Sequence, residues 1–501
     1  MRLATVHSVA LVGIDPVPVR VECATSPGLP GLRLVGLPDT AVREAEDRIR
    51  TAIGRSGLSW PQRKVVANLA PADLPKVGTR FDLPLAIAVL IASEQLPPFG
   101  ETWAVGEVGL DGSVRAVSGM LPTAAGARAH GARRLLVPAE AASEAALVTG
   151  LEVVPVADLG EAVAALRGRP VRLATPAATS TTGAADDLSD VRGQLVAKRA
   201  LELAAAGEHH LLLAGPPGCG KTMLARRLPG ILPPLDLDAA LEVAAVQSVA
   251  GERDPDAALC LTPPLREPHH TVSAAGLIGG GGGVPRPGEI SLAHRGVLLL
   301  DELLETPRWV LDALREPLER GEVRLTRARA RVRYPATVLL VAATNPCPCG
   351  NLGHPTRTCT CRPDRIERYR HRLSGPLLDR IDLQVELRPV DYDQLVGPPE
   401  GETSATVAAR VASARCAAEA RWGPGVRCRQ ATSAQLRRAA RPRALHTLSR
   451  AIDGLGLSAR AFDRCLRVAR TAADLAGAEL AEVEHVEEAI AYRLPDPVAA
   501  S

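Results

Sequence analysis

The octapeptide Gly215-Pro216-Pro217-Gly218-Cys219-Gly220-Lys221-Thr222 has the spacing G-x-x-x-x-G-K-T. An apolar run, Leu211 to Ala214, precedes it, and a helical pattern carrying Met223, Leu224 and Leu228 follows. Glycines in such a loop let successive backbone N–H groups turn inward and cradle phosphate oxygens. Lys221 adds a point charge for the outer phosphates, and Thr222 adds a hydroxyl for Mg²⁺. A buried strand, this loop and a helix in that order imply a nucleoside triphosphate site on a parallel α/β sheet.

Two further apolar runs, Val297–Leu300 and Val338–Ala343, also end in polar residues. Residues at the carboxyl ends of parallel strands face the ligand crevice. The first run ends in Asp301-Glu302. Asp301 is expected to hold Mg²⁺, through water, and Glu302 to activate the attacking water. A solvated acidic turn is the alternative. The second run ends in Thr344-Asn345, where an amide can orient water or sense the γ-phosphate, although Asn also simply starts turns. In Ser374-Gly-Pro-Leu-Leu-Asp379-Arg380-Ile-Asp382, Arg380 would stabilise transition-state charge on a neighbouring subunit's nucleotide. Its alternative is a pairing with Asp379 or Asp382. Leu457-Ser-Ala-Arg460 opens a later helix, and Arg460 could clamp phosphates from above.

A chain of 501 residues is too long for one ordinary core. The net charge of +3 makes any nucleic-acid surface a local patch. The basic residues are almost all arginine, the lysines being Lys64, Lys76, Lys198 and Lys221. The longest apolar run, Leu83 to Ala92, contains Pro84 and is far short of a membrane span. The opening residues lack a secretory pattern, so a cytoplasmic protein without membrane contacts is expected. Residues 171–188 are rich in Ala, Thr, Ser and Pro without an apolar period, which reads as a linker. The expected organisation is an α+β domain over 1–168, a linker over 169–188, an α/β domain over 189–395 and a helical domain over 396–501.

Cys347, Cys349, Cys359 and Cys361 place four thiols directly after Asn345. Four thiolates suit a tetrahedral Zn²⁺ site, with His354 as a spare ligand, while free thiols in a loop are the alternative. Residues 322–333, EVRLTRARARVR, alternate apolar and basic residues. The apolar phase changes between Leu325 and Ala328, which implies a hairpin turning near Arg327 and lined by Arg324, Arg327, Arg329, Arg331 and Arg333. Those arginines suit phosphate backbones; a solvated edge strand defended by charge is the alternative. The run Gly279–Gly283 is a second candidate loop.

The stretches DVRGQ (190–194), HHLLLAGPPGCGKTMLARRLPGILPPL (209–235), EPHHTVSAAGLIGGGGGVPRPGEISLAHRGVLLLDEL (267–303), TNPCPCG (344–350) and SGPLLDRIDL (374–383) occur together and in order. They resemble an AAA+ ATPase of the magnesium-chelatase-like branch. The opening GIDPVPVRVECATSPGLPGLRLVGLPDTAVREAEDRIRTAI and the closing LSARAFDRCLRVARTAADL are similar to the YifB/ComM proteins. The resemblance implies Walker A at Lys221 and Thr222, Walker B at Asp301 and Glu302, sensor 1 at Asn345, an arginine finger at Arg380 and sensor 2 at Arg460. The family usually has Ser where this chain has Cys219, a position that contributes mainly backbone but whose thiol is open to oxidation.

Residues 74–86 and 106–140 resemble the Lon proteolytic domain, a ribosomal S5 domain 2-like fold. The place of its serine falls in Thr79-Arg80-Phe81, and Met120-Leu121-Pro122 carries no lysine. The resemblance therefore implies a Lon-like domain without the protease dyad. It further implies ATP and Mg²⁺ as ligands, a homohexameric ring, a helical lid and DNA as partner, in a branch-migration helicase for recombination or natural transformation. A chelatase-type motor and a nucleotide-dependent scaffold are the competing functions.

Overall fold

A computed structural model describes residues 3–98, 102–181, 186–281, 284–327, 331–390, 401–455 and 458–493. Two sheets organise it. The first has seven strands, in the spatial order 31–35, 64–70, 15–26, 3–12, 102–104, 134–138 and 152–156. Leu3–Val12 and Asp15–Ser26 form an antiparallel hairpin, and Lys64–Ala70 adds to it antiparallel. The remaining pairings are parallel. The helix Asp82–Ala92 packs on the first hairpin with every residue buried. After Asp82, which is buried against Arg48 at 2.8 Å, its sequence is apolar all round, so it has no face to give to water. Pro84 lies in the first turn, where its missing N–H costs no helical bond.

The second sheet has five parallel strands ordered 265–266, 297–300, 339–344, 211–214 and 383–386. The three apolar runs read from the sequence are its three central neighbours. They are apolar on both faces because helices cover both. The phosphate-loop strand Leu211–Ala214 sits between Leu339–Thr344 and Leu383–Glu386, so its tip is flanked on both sides.

Helices Ser404–Trp422 and Ala459–Leu475 pack against Leu195–Gly207. Val407, Val411, Leu466 and Ala469 share one apolar core with Leu201, Ala204, Leu211 and Leu224. The C-terminal helices thus close over the ATPase sheet rather than forming a core of their own. The first sheet's unit is also attached. Helix Met120–Ala129 packs on Leu237–Ala250, with Gly119 N donating to Ser248 O at 3.0 Å. Leu121 and Leu147 share a small core with Ala240, Ala244 and Leu259. The stretch expected to be a linker runs along this seam. Thr179–Ser180 pairs in parallel with Leu259–Cys260, and Ala174 N bonds Val153 O at 2.9 Å.

Candidate functional site

The phosphate loop leaves its strand at Gly215, whose N–H bonds Thr344 O at 3.1 Å. A Cβ on Gly215 would lie 2.6 Å from Leu387 O and 2.9 Å from Cys219 Sγ, so only glycine fits. Gly218 and Gly220 hold φ of +80° and +91°, the left-handed region that turns the N–H groups inward. Lys221, 9% exposed, gives its ammonium to Gly215 O (2.7 Å), Pro216 O (2.9 Å) and Asn345 Oδ1 (3.0 Å). Burial pulls this ammonium below the ordinary lysine range, against the pull of Cys219, Asp301 and Glu302. Cys219 is buried, and burial pushes its thiol up.

Thr222 Oγ1 donates to Asp301 Oδ2 at 2.5 Å. A hydroxyl and a carboxylate side by side are hard oxygen donors that fit Mg²⁺. Asp301 Oδ1 accepts from Glu302 N at 2.8 Å. Glu302 holds φ of +50°, and its Oε2 lies 2.9 Å from His270 Nδ1. Sequence reasoning quoted His270 without giving it a role. The loop it sits on has no period, and only a histidine pair at 269–270 marked it. Gln194, also at positive φ, caps the loop by donating to Cys219 O (3.2 Å) and Arg388 O (2.7 Å). A cleft of about 1220 Å³ opens beside the loop, walled by Gly215, Pro216, Asn345, Arg370, Glu386 and Arg388. The structure thus brings together Gly215 through Thr222, Asp301, Glu302 and Asn345.

Arg380 and Arg460 lie elsewhere. Arg380 precedes strand Leu383–Glu386, which runs parallel to Leu211–Ala214 with Leu383 beside Leu211. It sits at the amino edge of the sheet, and the loop sits at the carboxyl edge. Four strand residues separate the two edges by about 13 Å. Arg380 pairs with Glu319 Oε1 at 2.5 Å and donates to Pro376 O at 2.5 Å, so neither Asp379 nor Asp382 is its partner. Asp382 instead takes Arg464 at 3.4 Å and the His210 N–H at 3.2 Å. Burial opposes its charge, but His209, Arg464 and His210 hold its carboxyl well below the usual carboxylate range. Arg460 is 77% exposed and 3.9 Å from Asp379. That pairing places it beside the Arg380 edge of the sheet. Its helix is pinned to the Arg380 edge by the Arg464–Asp382 pair and by Thr471 Oγ1, 2.7 Å from His209 Nε2.

The arginine hairpin is present. Glu322–Thr326 pairs antiparallel with Arg331–Pro335, Arg324 facing Arg333 and Thr326 facing Arg331. Val323, Val332 and Tyr334 are buried, while Arg324, Arg327, Arg331 and Arg333 are exposed. Arg329, Ala328 and Ala330 lie outside the described residues, as do Gly282 and Gly283 of the glycine run and Leu457 before Arg460. Tyr334 Oη donates to Pro285 O at 2.6 Å, and a Cβ on Gly279 would meet Leu325 at 3.1 Å. The two candidate loops are therefore neighbours. Arg324 pairs with Glu322, and Arg333 lies 4.0 Å from Asp15 and 3.8 Å from Glu322.

In the first unit, the Thr79 hydroxyl donates to Glu107. Arg80 donates to Ser118 O (2.8 Å) and Thr123 Oγ1 (3.3 Å), which ties segment 74–86 to segment 106–140. Lys76, buried, gives its ammonium to Pro71 O. The four thiols of Cys347, Cys349, Cys359 and Cys361 converge on one point, with their sulfurs all within 4.8 Å of one another.

Residues 187–395 match the family model of magnesium chelatase, subunit ChlI. Residues 21–141 match subunit ChlI of Mg-chelatase, and 401–493 match the magnesium chelatase subunit ChlI C-terminal model. An uncharacterised protein of Mycobacterium tuberculosis is 45% identical over 502 residues, covering 98% of this chain and 99% of that protein. The uncharacterised protein YifB of Escherichia coli is 45% identical over 509 residues, 99% of this chain and 98% of its own length. Competence protein ComM of Haemophilus influenzae is 42% identical over 503 residues, 98% of each chain. With these matches along nearly the whole chain, the phosphate loop, the acidic strand tip and the parallel sheet closed by C-terminal helices have their family: the chain belongs to the YifB/ComM family of magnesium-chelatase-like AAA+ ATPases.

Proposed function

We propose that the protein is an ATP-hydrolysing ring motor that acts on DNA, a ComM-like branch-migration helicase of recombination or natural transformation. The observation that carries the DNA reading is the hairpin 322–335, which turns its apolar side chains inward and Arg324, Arg327, Arg331 and Arg333 outward. A row of guanidinium groups on one strand face, next to the Gly279 loop, suits a phosphate backbone. With aromatic residues at 2% of the chain, base stacking is a minor term.

In this reading Thr222 and Asp301, the latter through water, would hold Mg²⁺, which would supply charge neutralisation for the outer phosphates. Lys221 releases the loop carbonyls to meet those phosphates, and Asn345, already bonded to Lys221, orients the attacking water. Glu302 takes the water's proton once it leaves His270. Arg380 and Arg460 serve the neighbouring subunit, because their own loop is at the other edge of the sheet. That division of labour requires a ring, for which we propose a hexamer. The N-terminal unit, 1–168, is a Lon-like assembly or DNA-contact module without peptidase activity, joined by 169–188 to the ATPase unit 189–395 and its lid 396–501. No helix among the described residues is long and apolar enough to cross a membrane; the proposed site of action is the cytoplasm.

The test is hydrolysis by the purified chain with and without DNA. A DNA motor hydrolyses ATP faster when duplex or branched DNA is added. A rate indifferent to every DNA structure would remove the DNA reading and leave a chelatase-type motor or a scaffold.

A further inference from the structure

The segment from 346 to 362 contains neither helix nor strand, and none of its residues belongs to an apolar core cluster. A loop this long, without a core, needs another source of order. Its four cysteines supply one. The Cys347–Cys349 sulfurs are 3.4 Å apart, and Cys359 Sγ is 3.6 Å from each of them. Cys361 completes the group, all four sulfurs lying within 4.8 Å of one another. A disulfide would bring two sulfurs to about 2.05 Å. A tetrahedron with metal–sulfur bonds of about 2.3 Å puts its vertices about 3.8 Å apart. The observed spacing is that of a single-ion cage.

The turn that follows Cys349 is set by Gly350 at φ +79°, with Gly350 N donating to Cys347 O at 2.9 Å. His354 is not part of the cage: its Nδ1 accepts the N–H groups of Thr356 (3.2 Å) and Arg357 (3.1 Å).

We propose that Cys347, Cys349, Cys359 and Cys361 bind one structural Zn²⁺, and that this zinc knot fixes Asn345 against the phosphate loop. Cys347 is fully buried and follows Asn345 by two residues. Gly350 packs so closely on Pro217 that a Cβ would fall 2.5 Å from its Cδ. The knot is thus wedged between the strand tip that carries Asn345 and the loop that carries Lys221, whose side chains meet at 3.0 Å. A closed four-sulfur shell leaves no open coordination position, so the ion orders the loop and takes no part in hydrolysis. The assignment stands apart from the DNA reading; it concerns the loop in any ATPase of this build.

The test is metal analysis of the full chain, produced with zinc supplied and purified without a metal resin. About one zinc per chain is expected. Cys359→Ser with Cys361→Ser should lose it, while Cys361→His, which keeps a ligand of suitable chemistry, should retain it. Cobalt loaded in place of zinc should give the absorption of a tetrahedral tetrathiolate. Folded wild-type protein without metal, or zinc that persists in the double serine variant, refutes the site. Iron as the bound metal refutes the zinc assignment. Stripping zinc with a chelator should lower the melting temperature and loosen nucleotide binding; unchanged values for both refute the wedge role.

Discussion

Replacing hairpin arginines should alter the salt dependence of DNA binding, and the structure says which ones matter most. Arg324 is paired with Glu322, and Arg333 lies near both Glu322 and Asp15. Among the described residues, Arg327 and Arg331 have no carboxylate within ion-pair reach. An arginine already neutralised by a carboxylate displaces fewer counterions from DNA. Each full phosphate contact contributes about 0.9 to the slope of log affinity against log salt for duplex DNA. Arg327→Ala with Arg331→Ala should therefore flatten the slope by about 1.8 per engaged subunit, and the quadruple change by at most about 3.6. Between 50 and 200 mM salt, a slope change of about 1.8 alters the affinity ratio about 12-fold. Fluorescence anisotropy with a labelled duplex, titrated at several salt concentrations, reads this directly. Arg324→Ala with Arg333→Ala should flatten the slope less. Equal slopes in wild type and the quadruple variant would mean the arginines only protect an exposed hairpin edge, and losses that depend on base sequence would mean base contacts instead.

The nucleotide site makes sharper demands. Lys221→Ala should abolish tight MgATP binding, whereas Glu302→Gln should bind ATP and slow hydrolysis by about 10²-fold or more; equilibrium binding and phosphate release separate the two, and wild-type turnover by Glu302→Gln would remove the Walker B role. Arg380→Ala should slow hydrolysis by about 10³-fold without weakening ATP binding. Mixing it with Lys221→Ala should restore part of the activity, because an intact loop and an intact Arg380 then meet at some interfaces. No recovery in rings shown to be mixed would contradict a role across the interface.

Much of the ATPase core was legible in the sequence because buried parallel strands announce themselves as short apolar runs with polar tips. Leu211–Ala214, Val297–Leu300 and Leu339–Thr344 did so, and their tips carry Lys221, Asp301, Glu302 and Asn345. The outer strands did not. Leu265–Arg266 has two residues, and Leu383–Glu386 alternates over four, too short for any period to register. The hairpin was readable from the shift in apolar phase between Leu325 and Val332, although no turn residue marks it. What the sequence could not carry was tertiary. Nothing local links Arg380 to Glu319, Glu302 to His270 or Arg460 to Asp379, since each pair is set by how distant segments dock. The pairing of Thr179–Ser180 with Leu259–Cys260 is a backbone matter, so an Ala/Thr/Ser/Pro composition read as linker concealed it. The cysteines showed which atoms could bind a metal, but only the fold showed that their sulfurs meet at a tetrahedral spacing.

The central claim is that ATP hydrolysis moves DNA. Its most direct test is a branch-migration assay on a synthetic three- or four-stranded junction with the purified full-length protein. The account predicts that junctions resolve with wild type and ATP, that Glu302→Gln binds the junctions without moving them, and that the hairpin variant hydrolyses ATP but moves them poorly. Junction movement by Glu302→Gln at the wild-type rate, or none by a wild-type protein that hydrolyses ATP on the same DNA, would contradict it.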